Sequence, residues 1–168
     1  KKIIATEKQQ YDQTNKNTFI GNTFDKFVGS ITVKSAQQLD INCNYATSKM
    51  NPTDINAVSQ LKERVFVLGN CQNAEIRIQK NATFNLGSGN LNHQNTLLEC
   101  KEKSKIIVEK GGTLHVFGGK STLRIFKNAQ LVLEDGATLI IQDGSQLILD
   151  EGSKFVIGNQ VNITINGK

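Results

Sequence analysis

Along the C-terminal half of the chain, large apolar residues return with a step of eight. The segments AQLVLEDG, ATLIIQDG, SQLILDEG, SKFVIGNQ and VNITINGK follow one another to residue 168. In register they carry Leu131, Leu139, Leu147, Phe155 and Ile163, and two positions later Leu133, Ile141, Leu149, Ile157 and Ile165. Apolar–x–apolar is the two-residue period of a strand with one face turned inward. The unit recurs upstream as Leu98/Cys100, Ile106/Val108, Leu114/Val116 and Leu123/Ile125, with one nine-residue step where Gly118-Gly119 adds a residue. Less regular copies precede these at Ile31/Val33, Leu39/Ile41, Val65/Val67, Ile76/Ile78 and Phe84/Leu86. A fixed internal period of strand plus corner predicts a solenoid.

Eight residues make a strand of about five plus a corner, which closes only one side of a coil. Three sides give a triangular coil of about 24 residues, with strands ~4.8 Å apart between coils. Two sides would leave a thin, flattened core. Asp135-Gly136 and Asp143-Gly144 are also hairpin signals, but an antiparallel meander needs a second layer over its apolar face, and no remaining segment supplies one. The expected fold is therefore all-β: a three-sided parallel β-helix with eight-residue sides, an irregular N-terminal region and one short helix.

Residues 1–29 are rich in Lys, Gln, Asn and Thr, with Phe19, Phe24 and Phe27 among them, and are expected to form an irregular lead-in. The solenoid is expected over 30–168, regular from about residue 96. Between its early strands, Pro52 and Thr53 can open a helix that continues through Ile55, Val58 and Leu61 to Arg64. A Gly- and Asn-rich loop spans Gly87–Asn95. The strand pattern reaches Ile165 with no polar or helical cap behind it, so the last coil is expected to continue in a longer protein or to be covered by a partner.

Composition narrows the partners. Apolar residues are 38% and aromatics 6% of the chain, which fits a core one coil wide. The net charge of +5 is unevenly spread: seven Lys/Arg face three Glu from Glu99 to Lys127, and five acids stand without a base from Glu134 to Glu151. No dense cationic run interleaved with aromatics marks a nucleic-acid surface. No apolar run approaches the ~18 residues of a membrane-spanning helix.

Candidate chemistry is sparse. The corner acids Asp135, Asp143, Asp150 and Glu151 suggest calcium, but on a three-sided coil they fall at different corners and cannot share one ion. No metal site and no cofactor is expected. His93 and His115 have no nucleophile or carboxylate at a spacing that makes either a base, so no catalytic residue is assigned and the chain is not read as an enzyme. Cys100 takes an inward position, as expected of a buried thiol. Cys43 and Cys71 stand as a candidate disulfide pair or as separate thiols. Asn81-Ala82-Thr83 and Asn162-Ile163-Thr164 match the glycosylation sequon, as Asn- and Thr-rich chains do by chance.

The outward positions are more informative. Ile107, Val132, Ile140, Ile148 and Val156 all fall between inward pairs, where a solenoid in water would be expected to carry polar side chains. A 24-residue coil, lengthened by one where Gly118-Gly119 adds a residue, places Ile107, Val132 and Val156 in one row, Glu99, Arg124 and Ile148 in a second, and His115, Ile140 and Thr164 in a third. Branched residues favour strands on either face. The functional alternative is an apolar surface that docks a protein partner or a second copy.

The stretch Ser104 to Gly158, above all KIIVEKGGTL at 105–114, resembles the β-solenoid repeats of large extracellular proteins from Bacteroidetes-type bacteria, many exported by the type IX route. The resemblance covers about a third of the chain and implies a secreted or outer-cell-surface stalk, adhesin or assembly component, with no catalytic residues to transfer. A carbohydrate-binding or carbohydrate-active β-helix is the alternative. It would use Glu99 and His93 beside the Gly87–Asn95 loop, or stack sugars on Phe117, Phe126 or Tyr45.

Overall fold

The computed structural model describes residues 2–4, 16–20, 24–36, 38–42, 64–69, 71–87, 96–118, 121–142 and 144–166. Within them every regular element is a strand. After β1 (Lys2–Ile4), the chain winds through β2 (Lys16–Ile20), β3 (Phe24–Val33), β4 (Gln38–Asn42), β5 (Arg64–Leu68) and β6 (Ala74–Ile78). It continues through β7 (Thr83–Leu86), β8 (Thr96–Cys100), β9 (Ser104–Val108), β10 (Thr113–Val116), β11 (Thr122–Ile125) and β12 (Gln130–Leu133). The last strands are β13 (Thr138–Ile141), β14 (Gln146–Leu149), β15 (Lys154–Ile157) and β16 (Asn162–Ile165).

Every third strand pairs in parallel, and three faces result. Face one is the sheet β2-β4-β7-β10-β13-β16; face two runs β3-β5-β8-β11-β14; face three runs β3-β6-β9-β12-β15. The protein is a three-sided parallel β-helix. Gln130 pairs with Lys154, one coil of 24 residues, whereas Thr113 pairs with Thr138, a coil of 25 that contains Gly118-Gly119.

Apolar alternation builds the core because each inward residue lands on its counterpart one coil away. Phe84, Leu114, Leu139 and Ile163 stack on face one, and Leu98, Leu123 and Leu147 on face two. Ile31, Ile76, Ile106, Leu131 and Phe155 stack on face three. Leu114, Leu123, Ile106 and Leu131 have no solvent contact, and each such side chain contributes about 1.5–3 kcal/mol by leaving water.

The corners carry their own ladder. Between faces three and one, Ala36, Asn81, Gly111, Gly136 and Gln160 all have left-handed backbones, with φ from 54° to 78°. Their amides bond from coil to coil: Ala36 N–H to Asn81 O at 3.1 Å, Asn81 to Gly111 at 3.0 Å and Gly111 to Gly136 at 3.1 Å. Glycine and asparagine suit this position because a Cβ there meets the following carbonyl. All large length differences between coils fall at another corner, from face one to face two. There the connections are residues 21–23, 43–63, 87–95, 117–121 and 142–145, shortening along the chain from the second onward.

Residues 1–29, read from sequence as an irregular lead-in, contribute strands to the same body. β2 pairs with β4, and β3 runs from face two, where Phe24–Phe27 pair with β5, onto face three, where Gly29–Val33 pair with β6. β1 adds antiparallel to β3, Lys2 opposite Val28. Polar composition concealed these strands, since backbone pairing needs no apolar side chain. The helix expected at Thr53–Arg64 lies outside the described residues except Arg64, which begins β5.

Leu123 sits in an interior coil at 0% exposure and Ile163 in the last coil at 37%. Leu123→Ala is therefore expected to lower stability in chemical denaturation by about 2–5 kcal/mol, and Ile163→Ala by under ~1.5 kcal/mol. Equal losses would contradict a core that opens towards its last coil.

Candidate functional site

The five outward apolar residues singled out from sequence fall on three faces. Ile107, Val132 and Val156 form one row on face three, Ile148 aligns with Arg124 and Glu99 on face two, and Ile140 aligns with His115 and Thr164 on face one. The registers agree with a 24-residue coil, but no single patch unites the five.

Exposure within the face-three row rises along the axis. Ile107, expected to face solvent, is only 5% exposed, whereas Val132 is half-buried and Val156 is 45% exposed. Arg77 is the register partner of Ile107. Its guanidinium donates to Glu75 at 3.1 Å within its own strand and reaches Glu109, two residues beyond Ile107 in the next coil, at 2.9 Å. These bonds to Glu109 and Glu75 outweigh the effect of burial and hold the Arg77 pKa above its ordinary value. A long side chain thus lies across the row, its stem covering apolar surface while its charge stays paired.

Face two carries charge at its centre. Lys101 Nζ lies 3.4 Å from Glu99, and Arg124 Nε donates to Asp150 at 3.0 and 3.2 Å. Lys101 and Arg124 also sit 3.9 and 4.6 Å from the centre of the Phe126 ring. On face one, His115 Nδ1 is 3.1 Å from Asn85 Oδ1 and its ring stacks on Phe117 at 4.7 Å. Phe117 and Phe126, considered from sequence as sugar platforms, are both engaged within the protein. Tyr45 and His93 lie outside the described residues. Thr83, Thr113 and Thr138 align in a column at the start of face one, an alignment that the pairing register alone reveals.

Asp135 and Asp150 serve the scaffold, and Asp143 lies outside the described residues. Asp135 accepts the backbone N–H of Asn159 from the next coil at 2.7 Å, and Asp150 takes Arg124 from a different corner. Among the described residues no three His, Cys, Asp or Glu side chains converge as metal ligands. Cys71 donates from Sγ to Glu102 at 3.0 Å, while Cys43, its candidate disulfide partner, lies outside the described residues. Asn128 Nδ2 reaches the other oxygen of Glu102 at 3.3 Å. The Cys71 bond, then the Asn128 bond, keep that carboxyl below its usual pKa. Cys100 is a buried thiol 3.0 Å from Ser104 Oγ, and burial pushes its pKa up to about 11.

Two surfaces stand out from this scaffold. The first is the open end of the solenoid, where inward columns run out into solvent: Leu149 is 43% exposed, Ile157 50%, Ile163 37% and Ile165 52%. β14, β15 and β16 are also the terminal strands of their sheets, each with an unpaired edge. The second is a groove of about 520 Å³ along the corner between faces two and three. Its lining comes from four successive coils and is almost entirely polar, with Asn73, Glu75, Lys103, Lys105, Asn128 and Gln130 as its main side chains. A shallower hollow of about 460 Å³ lies between Val132 and Val156 on face three, flanked by Lys110 and Asp135. The sequence signal for the open end was the apolar pattern reaching Ile165. The groove had none, because its residues are 30 or 25 apart and meet only through the register.

Compared with protein-family models, curated proteins and solved structures, the chain matches none.

Two titrations follow from these environments. With its pKa near 11, Cys100 is almost wholly protonated at pH 8. Iodoacetamide is expected to leave it unmodified in the folded protein and to label it after unfolding, with peptide mass spectrometry as the readout. Labelling of folded Cys100 at the rate of a free thiol would contradict its burial. Burial holds the His115 pKa below its ordinary value, the larger effect against an opposing influence of nearby Gln142. The unfolded chain then binds the extra proton first, so this residue's contribution is present above about pH 6.5 and is lost on acidification. His115→Gln is expected to show a smaller fall in melting temperature than the parent between pH 7 and pH 5; an equal fall removes His115 as a cause.

Proposed function

We propose that this chain is a non-catalytic structural and interaction element of an extracellular or outer-surface assembly. The observation that carries the reading is the coil-to-coil stacking itself, with ion pairs of the chain's own residues closing the surface of face two and tying successive coils together. Leu149, Ile157, Ile163 and Ile165 belong to columns whose preceding members, Ile125, Leu133, Leu139 and Ile141, are fully buried. A surface built of inward-type residues beside three unpaired strand edges has the composition of an inter-coil contact. Its fitting occupant is another coil of the same design. A following coil of a longer chain or a second copy placed end to end would supply one, since Leu and Ile columns and strand edges are complementary to themselves. The likeness of Ser104–Gly158 to surface solenoids supports the outer location, and the self-contained charge pairs on face two support a scaffold rather than a reactive centre.

Sedimentation of the chain over a range of concentrations tests this reading. The parent is expected to self-associate, and Ile157→Lys with Ile165→Lys to weaken that association at least tenfold, or ~1.4 kcal/mol, with an unchanged strand signal in circular dichroism. A parent that stays monomeric at every concentration, with its end residues in water, would overturn it.

A further inference from the structure

We infer that the groove along the corner between faces two and three binds an anionic saccharide, with Lys103 and Lys105 meeting its acidic groups and Asn73, Asn128 and Gln130 its hydroxyls. The groove crosses four coils from Ser30 to Asn128 and Gln130, so it runs with the solenoid axis for about 14 Å at ~4.8 Å per step. Register makes it. Glu75, Lys105 and Gln130 are successive partners in one outward column of face three, and Asn73, Lys103 and Asn128 each stand just before an inward residue at the adjoining corner. The result is two rows of polar side chains that no sequence-local motif contains.

Charge selects the class of ligand. Glu75 is already taken by Arg77 at 3.1 Å and Lys105 at 3.6 Å, and Glu102 is turned to Cys71 and Asn128. Lys103 forms no salt bridge among the described residues and is exposed at the rim. The lining therefore carries two lysines against one carboxylate, Lys103 unshared and Lys105 shared with Glu75, in a chain of net charge +5. Side-chain amides present donors and acceptors together, the complement of a polyhydroxylated chain that also keeps bridging water.

An acidic peptide fits less well. β6, β9 and β12 are interior strands, paired on both sides, so the groove has no free edge for a peptide strand to extend. Ala74 is the only apolar residue in the lining, so no pocket holds the apolar anchor on which peptide affinity commonly rests.

Calorimetric titration of the whole chain with four probes of matched length tests the inference: an oligogalacturonate, a sulfated oligosaccharide, a neutral maltodextrin and an oligoglutamate. At least one anionic saccharide is expected to bind, at least tenfold more tightly than maltodextrin or oligoglutamate, and to weaken as salt is raised. Whether the carboxylated or the sulfated probe binds more tightly identifies the acid recognised. Lys103→Glu combined with Lys105→Ala is expected to lower affinity tenfold or more, Asn128→Ala about threefold, and Lys110→Glu at a different corner by less than twofold. Thermal melting checks each variant, and Lys103→Ala, at an exposed corner without a salt bridge, keeps the test open if the double variant unfolds. The inference is overturned if neither anionic saccharide binds, if oligoglutamate binds as well, or if Lys110→Glu weakens binding as much as substitution at Lys103.

Discussion

Everything in this protein depends on strands stacking in register from one coil to the next. A parallel ladder fixes each residue beside its counterpart one coil away, 24 or 25 positions in the last coils and more in the earlier ones with longer connections, and the inward columns seal only because that register is kept. The corners enforce it. A left-handed residue at the same point of each coil, from Ala36 to Gln160, turns the chain and passes a backbone bond to the next corner. A residue gained or lost at this corner would break the column. The connections from face one to face two absorb every large insertion, so variation in chain length collects on one edge of the solenoid.

The same stacking decides what the outside can do. Charges on neighbouring coils come within bonding distance, and Arg77 with Glu109, and Arg124 with Asp150, tie coils together across the surface. Such exposed pairs contribute little individually, on the order of 0–1 kcal/mol. Their larger effect is to occupy cations and acids that would otherwise be free for chemistry. What stays exposed is geometric: the apolar residues of the last described coil, and a corner groove with Lys103 at its rim.

Much of this was legible in the apolar pattern. Leu131, Leu139 and Leu147 announce the strands, the eight-residue step announces three sides, and the Gly118-Gly119 insertion correctly lengthens one coil. Ile107 shows where such reading fails. Its neighbours predict a side chain facing solvent, but it is buried beside its register partner Arg77, 30 residues earlier, whose guanidinium reaches Glu109. β2 and the first half of β3 fail differently. They are recruited by backbone pairing to β4 and β5, and an Asn- and Lys-rich stretch carries no periodic signal for that.

The sequence by itself determined the coil: its period, its inward residues and the dispersal of its corner acids, because alternation and corner chemistry are local properties of the chain. The tertiary structure alone decided which side chains share a surface. Asn73, Lys103 and Asn128 are far apart in the chain and adjacent in space, and only the accumulated register, insertions included, brings them to one groove. The outward apolar row changed in the same way. Five residues that look alike in sequence occupy three faces, and the exposed large apolar side chains among the described residues gather on β14, β15 and β16.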